Sequence, residues 1–387
     1  MLSLRLIRLH RKQIPRNCIG ILTQTTIDIE ILFPIRRSYF RWIPTSDKEF
    51  AESERKLLTC LKSPYETCFV DAGEVSEFQN LTKLTNIKIQ TLAVNKLRQG
   101  TPLVLLHGMG LGLGSLLSMI NAVSSQYQGP IYALDLPGFG RSTRLNFPTD
   151  PKQAEETYIK LLEGWRRALH LTRVSIVGYS LGGFLATSYA LKYSDRVREL
   201  VLLDPWGFPN KPKKLTSLVG SRNPVAIFAT ISVTKLINVF ATLRLLGPLG
   251  PLVHRGKKES KLFCRNFEIH ARVSGSGKNL SEYLYHCMAA NPSGEAAFRS
   301  LMDSIVFAKN PMCQRLYDLR VPMTMVYPQY DWFIPGIPSK ELQQLAGRKC
   351  PLRIHTIPST NHETILFAKE VEQLLCDMNA KTEDCSS

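Results

Sequence analysis

The spacing of apolar residues divides the chain into stretches of different character. IKIQTLAV, in residues 86–95, alternates apolar and polar positions, whereas Pro102–Leu106 (PLVLL) is apolar throughout and runs into a glycine-rich turn. Alternation suits a strand covered on one face, and a short continuous run suits a parallel strand covered on both. The continuous type recurs at Pro130–Leu134 (PIYAL), Val174–Val177 (VSIV) and Leu200–Leu203 (LVLL). Between these runs, Ala154–Leu169 and Phe184–Lys192 place apolar residues at helical spacing, and Asp47–Leu61 predicts an amphipathic helix that opens the folded part. Strands alternating with helices predict an α/β class, with a mostly parallel sheet and helices on both faces.

The alternation stops at Pro205. It resumes at Met323–Tyr327 (MTMVY) and Leu352–Ile357 (LRIHTI), followed by a helix from Glu363 to Met378. Residues 206–295 are basic, proline-rich and helical in pattern. The expected organisation is one core made of residues 46–205 and 296–379, split by a helical cap at 206–295. Residues 1–45 form a basic appendage and 380–387 a flexible tail. An insertion placed after a strand sits at the carboxyl ends of the sheet, where open α/β sheets bind ligands.

Charge sharpens this division. The net charge of the 387 residues is +17. Residues 1–45 hold eight Lys/Arg against Asp28 and Glu30, giving +6; residues 205–285 hold thirteen against Glu259, Glu268 and Glu282, giving +10. Basic segments meet nucleic acid, anionic membranes or acidic substrates. The chain has no zinc-finger spacing, aromatic RNA-binding motif or basic heptad helix, so nucleic acid is not expected as a partner. An anionic membrane or lipid-droplet surface is. Nine scattered cysteines without a C-x-x-C pair argue against a zinc site or disulfide framework and for a reducing, intracellular compartment. No apolar run is long enough for a spanning helix, since residues 223–249 are broken by Lys235 and Arg244. Arg5, Arg8 and Arg11 alternate with leucines and isoleucines, with no acid before Asp28. That pattern fits a mitochondrial presequence or, alternatively, a plain basic tail on a protein at the cytoplasmic face of membranes.

The chemistry concentrates at strand ends. Gly178-Tyr179-Ser180-Leu181-Gly182-Gly183 follows one apolar run and opens a helix, as a G-x-S-x-G nucleophile elbow does, with Ser180 as nucleophile. His107-Gly108-Met109-Gly110 follows an earlier strand, where an oxyanion-hole loop belongs; the N–H groups of Met109 and Leu181 would face the oxyanion. Chain order Ser…acid…His selects His362, just past the last strand, as base. Its rivals His254, His270, His286 and His355 lie in the insertion or within a strand. Asp331, in the turn after Met323–Tyr327, is the favoured acid, and Asp204, at the end of the strand leading into the insertion, is its competitor. No metal or organic cofactor is needed for this chemistry.

PLVLLHGMG, ALDLPGFGRSTR, VGYSLGGFLATSYALKYSDRVRELVLLDPWGFP and EYLYHCMAANPSGEAAFRSL resemble α/β-hydrolase domain-containing proteins 4 and 5 over roughly residues 40–378. DPWGFP and YHCMAANPSGE are the most specific segments. The resemblance implies an α/β-hydrolase fold and work on acyl lipids, as lysophospholipase and N-acyl-phospholipid hydrolase, as lysophosphatidate acyltransferase, or as a lipid-droplet coactivator of triacylglycerol lipase. A coactivator would have a lipase or a droplet-coat protein as partner. Protein 5 carries asparagine where Ser180 stands, so the intact serine points to hydrolysis of phospholipids or lysophospholipids. The acyltransferase pattern H-x-x-x-x-D is broken, with Phe367 standing five residues after His362. In the insertion, Val225, Ile227, Phe228, Ile231, Leu236, Ile237, Val239, Phe240, Leu243, Leu245 and Leu246 recur at helical spacing between basic residues. They suit a lid buried on the core, an interfacial surface, or both on different faces.

Overall fold

The computed structural model describes residues 45–77, 80–211, 239–245, 277–303, 307–330 and 351–380. Helix α1 (Asp47–Leu58) begins at Ser46, whose hydroxyl donates to Glu49 Oε2 at 2.7 Å and accepts the Glu49 N–H at 3.3 Å. Its buried face, Phe50, Leu57 and Leu58, is the apolar stripe that the spacing predicted.

One sheet of eight strands carries the fold, in the order β1-β2-β4-β3-β5-β6-β7-β8. β1 (Tyr65–Glu77) and β2 (Asn80–Val94) form a long antiparallel hairpin, and β2 pairs antiparallel with β4 (Ile131–Leu134). From β4 onward, β3 (Leu103–Leu106), β5 (Val174–Tyr179), β6 (Val197–Leu203), β7 (Met323–Tyr330) and β8 (Leu352–Asn361) are parallel. β1 was not anticipated. It is an edge strand with Val70 and Ala72 buried and most other positions in water, so it lacks the apolar signature of a covered strand.

Every residue of β3, β4 and β5 is buried, as runs without polar alternation require. α2 (Leu117–Val123) packs its apolar residues on one side of the core. α3 (Pro151–Ala168) starts at the Asp150 cap with Pro151 in its first turn, and seats Tyr158 and Trp165 on the sheet. Trp165 Nε1–H donates to Thr91 Oγ1 at 3.0 Å, so the ring is buried without losing its polar contact. α4 (Leu181–Lys192) is buried continuously from Leu181 to Ala190, as a helix apolar on all sides must be.

β3 has β4 on one side and β5 on the other, so the chain reverses its direction of winding there. That switch opens a crevice at the carboxyl ends of β3 and β5. Four further α-helices lie among the described residues: α5 (Val239–Leu245), α6 (Gly277–Ala289), α7 (Ser293–Leu301) and α8 (Lys369–Ala380). α8 starts later than the pattern predicted, because a 3₁₀ turn, Thr364–Phe367, intervenes.

Candidate active site

Ser180 joins β5 to α4 with φ 52° and ψ −116°, a conformation that side chains rarely adopt. The backbone around it is held on every side. Its N–H donates to Leu203 O at 3.1 Å, and its carbonyl accepts from Gly183 N at 3.0 Å and Trp206 N at 3.1 Å. Glycine at 182 is a packing requirement, since a Cβ there would lie 2.4 Å from Leu106 O and 2.7 Å from His107 O. Strand β3 and helix α4 therefore cross in backbone contact. Leu181 is the first residue of α4, where N–H groups have no acceptor within the helix.

The turn after β3 lies against this serine. A Cβ on Gly108 would be 3.1 Å from Ser180 Cβ, and Met109 follows, half-buried against both halves of the core. His107 anchors the turn. Its Nε2 accepts the Leu136 N–H at 3.0 Å, so Nδ1 carries the proton and donates to Gly108 O at 2.7 Å. Burial pushes its pKa down to about 4, which keeps the ring neutral in this structural role.

His362 follows β8. Its Nδ1 donates to Asp204 Oδ2 at 2.6 Å, which leaves Nε2 for another partner. Asp204 is fully buried at the end of β6, its N–H extending the ladder to Val326 O at 2.8 Å. A φ of 42° turns the chain at Asp204 as it leaves the sheet. The carboxylate in contact with His362 is that of Asp204, the competitor to Asp331 in the sequence. Asp331 lies outside the described residues. Among the rival histidines, His286 stacks on Phe50 and bonds Thr45, and His355 is exposed on β8. His254 and His270 lie outside the described residues.

A second polar cluster gathers around Asp135, the residue after β4. Asp135 Oδ1 accepts from Leu113 N and its Oδ2 from Arg141 N, both at 2.7 Å. Arg141 pairs with Glu54 of α1 at 2.7 Å, and Tyr283 of α6 donates to Asp135 at 3.5 Å. Burial, and next the nearby Glu54 carboxylate, raise the Asp135 pKa to about 7. The sequence assigns no role to Asp135, although it lies within the segment ALDLPGFGRSTR.

The insertion reaches the site through α5. A Cβ on Gly110, at φ 74°, would lie 2.5 Å from Phe240 Cζ, so this buried phenylalanine rests on the turn after β3. Four residues on, Arg244 binds Glu295 of α7 through two bonds of 2.7 and 2.9 Å and also donates to Met288 O at 2.9 Å. Leu245 is 66% exposed. Of the apolar insertion residues, then, Phe240 faces the core and Leu245 faces water. The others lie outside the described side chains.

Two cavities, of about 560 and 910 Å³, have neither Ser180 nor His362 in their walls. Among the described residues no cluster of three metal-ligating side chains occurs, and no helix is long and apolar enough to cross a membrane.

A family profile for the alpha/beta hydrolase fold matches residues 101–224. The chain is 39% identical over 292 residues to a (lyso)-N-acylphosphatidylethanolamine lipase of Bos taurus, covering 74% of this chain and 79% of that protein. It is 36% identical to the 1-acylglycerol-3-phosphate O-acyltransferase ABHD5 of Homo sapiens, over 73% of this chain and 76% of the relative. Among solved structures, naproxen esterase of Bacillus subtilis superposes with a TM-score of 0.55 at 15% identity, over 87% of this chain and 99% of that one. That likeness concerns the fold alone. Fold and relatives together define an ester-hydrolysing enzyme. The chain belongs to the α/β-hydrolase family, in the branch of α/β-hydrolase domain-containing proteins 4 and 5.

Proposed function

We propose that the chain is a serine hydrolase of phospholipid or lysophospholipid acyl esters, with Ser180 as nucleophile, His362 as base and Asp204 as acid. The observation that carries this reading is the 2.6 Å bond from His362 Nδ1 to Asp204, which follows the Leu203 whose carbonyl accepts the N–H of a serine held at φ 52°. With Nδ1–H committed to the carboxylate, Nε2 is the basic nitrogen and takes the Ser180 proton as Oγ attacks the acyl carbonyl. The oxyanion is held by the N–H groups of Leu181 and Met109, each such donor contributing about 3–4 kcal/mol in the transition state. The imidazolium then protonates the departing alcohol, and water releases the acyl group by the same route in reverse. Asp204 stabilises the imidazolium and fixes its tautomer without taking the proton.

The lipid class draws on the lipases at 39% identity and on the basic, apolar insertion. The same insertion supports contact with an anionic membrane or droplet surface. Residues 1–45 would add a mitochondrial address or a further basic contact; a reporter fused to residues 1–40 tests which. Mitochondrial fluorescence supports the address, and diffuse fluorescence supports the tail. A fluorophosphonate probe tests the enzymatic reading, since only an activated serine reacts. Labelling of the wild-type protein, together with release of fatty acid from N-acylphosphatidylethanolamine or its lyso form in mixed micelles, is expected. A chain that neither labels nor hydrolyses would instead be a binding protein that recruits a lipase or a droplet-coat protein.

A further inference from the structure

We propose that Tyr179 is a positioning residue for His362, holding the imidazole in line between Asp204 and Ser180; this rests on the hydrolase reading above. Tyr179 is the last residue of β5 and is 3% exposed. Its hydroxyl donates to the backbone carbonyl of His362 at 2.9 Å. Its ring lies 5.0 Å from the imidazole, centroid to centroid, at an interplanar angle of 35°. The ring also meets the turn after β3, where a Cβ on Gly108 would lie 3.0 Å from Cδ1 and Cε1. The ring is thus wedged between that turn and the base, one residue before the nucleophile.

The need for such a wedge follows from the topology. His362 comes just after β8, the edge strand, in a loop whose local bonds secure its neighbours. Asn361 Oδ1 accepts from Glu363 N at 3.0 Å and from Thr364 N at 2.9 Å, and Asn361 N donates to Thr364 Oγ1 at 2.8 Å. The His362 carbonyl is directed the other way, to the centre of the sheet. A bond at that carbonyl fixes the direction in which Cα–Cβ leaves the backbone, and the ring contact limits rotation of the imidazole. Catalytic groups displaced by as little as 1 Å lose about 10²-fold in rate, so a hydrogen bond that sets this alignment acts on turnover.

The test uses the full-length chain and the substitutions Tyr179→Phe, which keeps the ring and removes the hydroxyl, and Tyr179→Leu, which removes both. Turnover of a soluble short-chain ester and the rate of fluorophosphonate labelling are measured, with thermal melting as the check on folding. Tyr179→Phe should lower kcat and labelling by about tenfold, the scale of one hydrogen bond, with KM unchanged. Tyr179→Leu should lower them further. Should the leucine variant fail to fold, the phenylalanine variant decides alone. In an Asp204→Asn background the effect of removing the hydroxyl should shrink, because the two residues act on one imidazole. Wild-type rates in Tyr179→Phe would overturn the proposal, as would an undiminished effect in the Asp204→Asn background. Labelling that persists in Ser180→Ala would instead overturn the hydrolase reading itself.

Discussion

A serine at φ 52° occupies backbone space at a local cost of about 1–3 kcal/mol, and backbone hydrogen bonds with Leu203, Gly183, Phe184 and Trp206 hold it there. Strain of this kind fits a residue whose hydroxyl must stand clear of the sheet. Ser180→Ala should abolish probe labelling and lower kcat by about 10⁴–10⁶, measured on purified protein of unchanged melting temperature. Asp204→Asn should lower kcat by about 10⁴, and Asp331→Asn should leave it close to wild type; the pair of kcat values distinguishes the two carboxylates. Strand–turn–helix context and chain order single out Ser180 and His362 in the sequence, but they do not choose between the two candidate acids. Asp204 and Asp331 both follow apolar strands of similar length, and local sequence does not say over which strand end the loop after β8 returns. Pairing across 158 residues decides that, through the neighbouring places of β6, β7 and β8 in the sheet.

At the scale of elements, the parallel strands were the most legible part. LVLL, IYAL and VSIV are buried on both faces, and nothing but burial explains runs of that composition. The hairpin strand β1 escaped notice because its stability comes from pairing with β2 over most of its length, and pairing leaves no apolar period. The close crossing of β3 and α4 gives a prediction whose sign opposes helix propensity. Alanine is favoured over glycine inside a helix by about 1 kcal/mol. Gly182→Ala should nevertheless destabilise the fold by about 1–3 kcal/mol, because its Cβ would press on two carbonyl oxygens. Chemical denaturation measures the loss, and reduced labelling would accompany it as the turn carrying Met109 is displaced.

Across the whole molecule, charge acts at two depths. Within the core, Asp135 faces Glu54, Arg141, Arg144, Tyr283 and Cys287, and burial raises its pKa from 3.8 to about 7. A carboxyl raised in the folded state binds its proton more tightly there than when unfolded. Its contribution to stability is therefore complete below pH 3.8 and is lost as pH rises to about 7. Between those limits the Asp135→Asn variant should lack this downward contribution, so its melting temperature should fall less, or rise more, with pH than that of wild type. An unchanged slope would assign the dependence to other groups. Lys257, Lys258 and Lys261, outside the described residues, belong to the +10 segment of residues 205–285. Each basic residue near an anionic bilayer contributes about 1 kcal/mol, screened beyond about 8–10 Å. Replacing the three with glutamine should weaken co-sedimentation with anionic vesicles at low salt and leave turnover of a soluble ester unchanged. Equal binding of wild type to neutral and anionic vesicles would remove lipid charge from the account.

With Asp204 as the proposed acid, the serine and its carboxylate both precede residue 211, and His362 comes long after residue 277. The chain between residues 211 and 277 thus supplies none of the three proposed catalytic groups, which makes it a candidate for exchange as a cassette. Two fittings would have to be reproduced by any replacement: an aromatic plug for the seat that Phe240 occupies on Gly110, and a guanidinium clasp for Glu295. A chimera that keeps both and changes everything else would inherit the bond-breaking step and acquire a new choice of lipid.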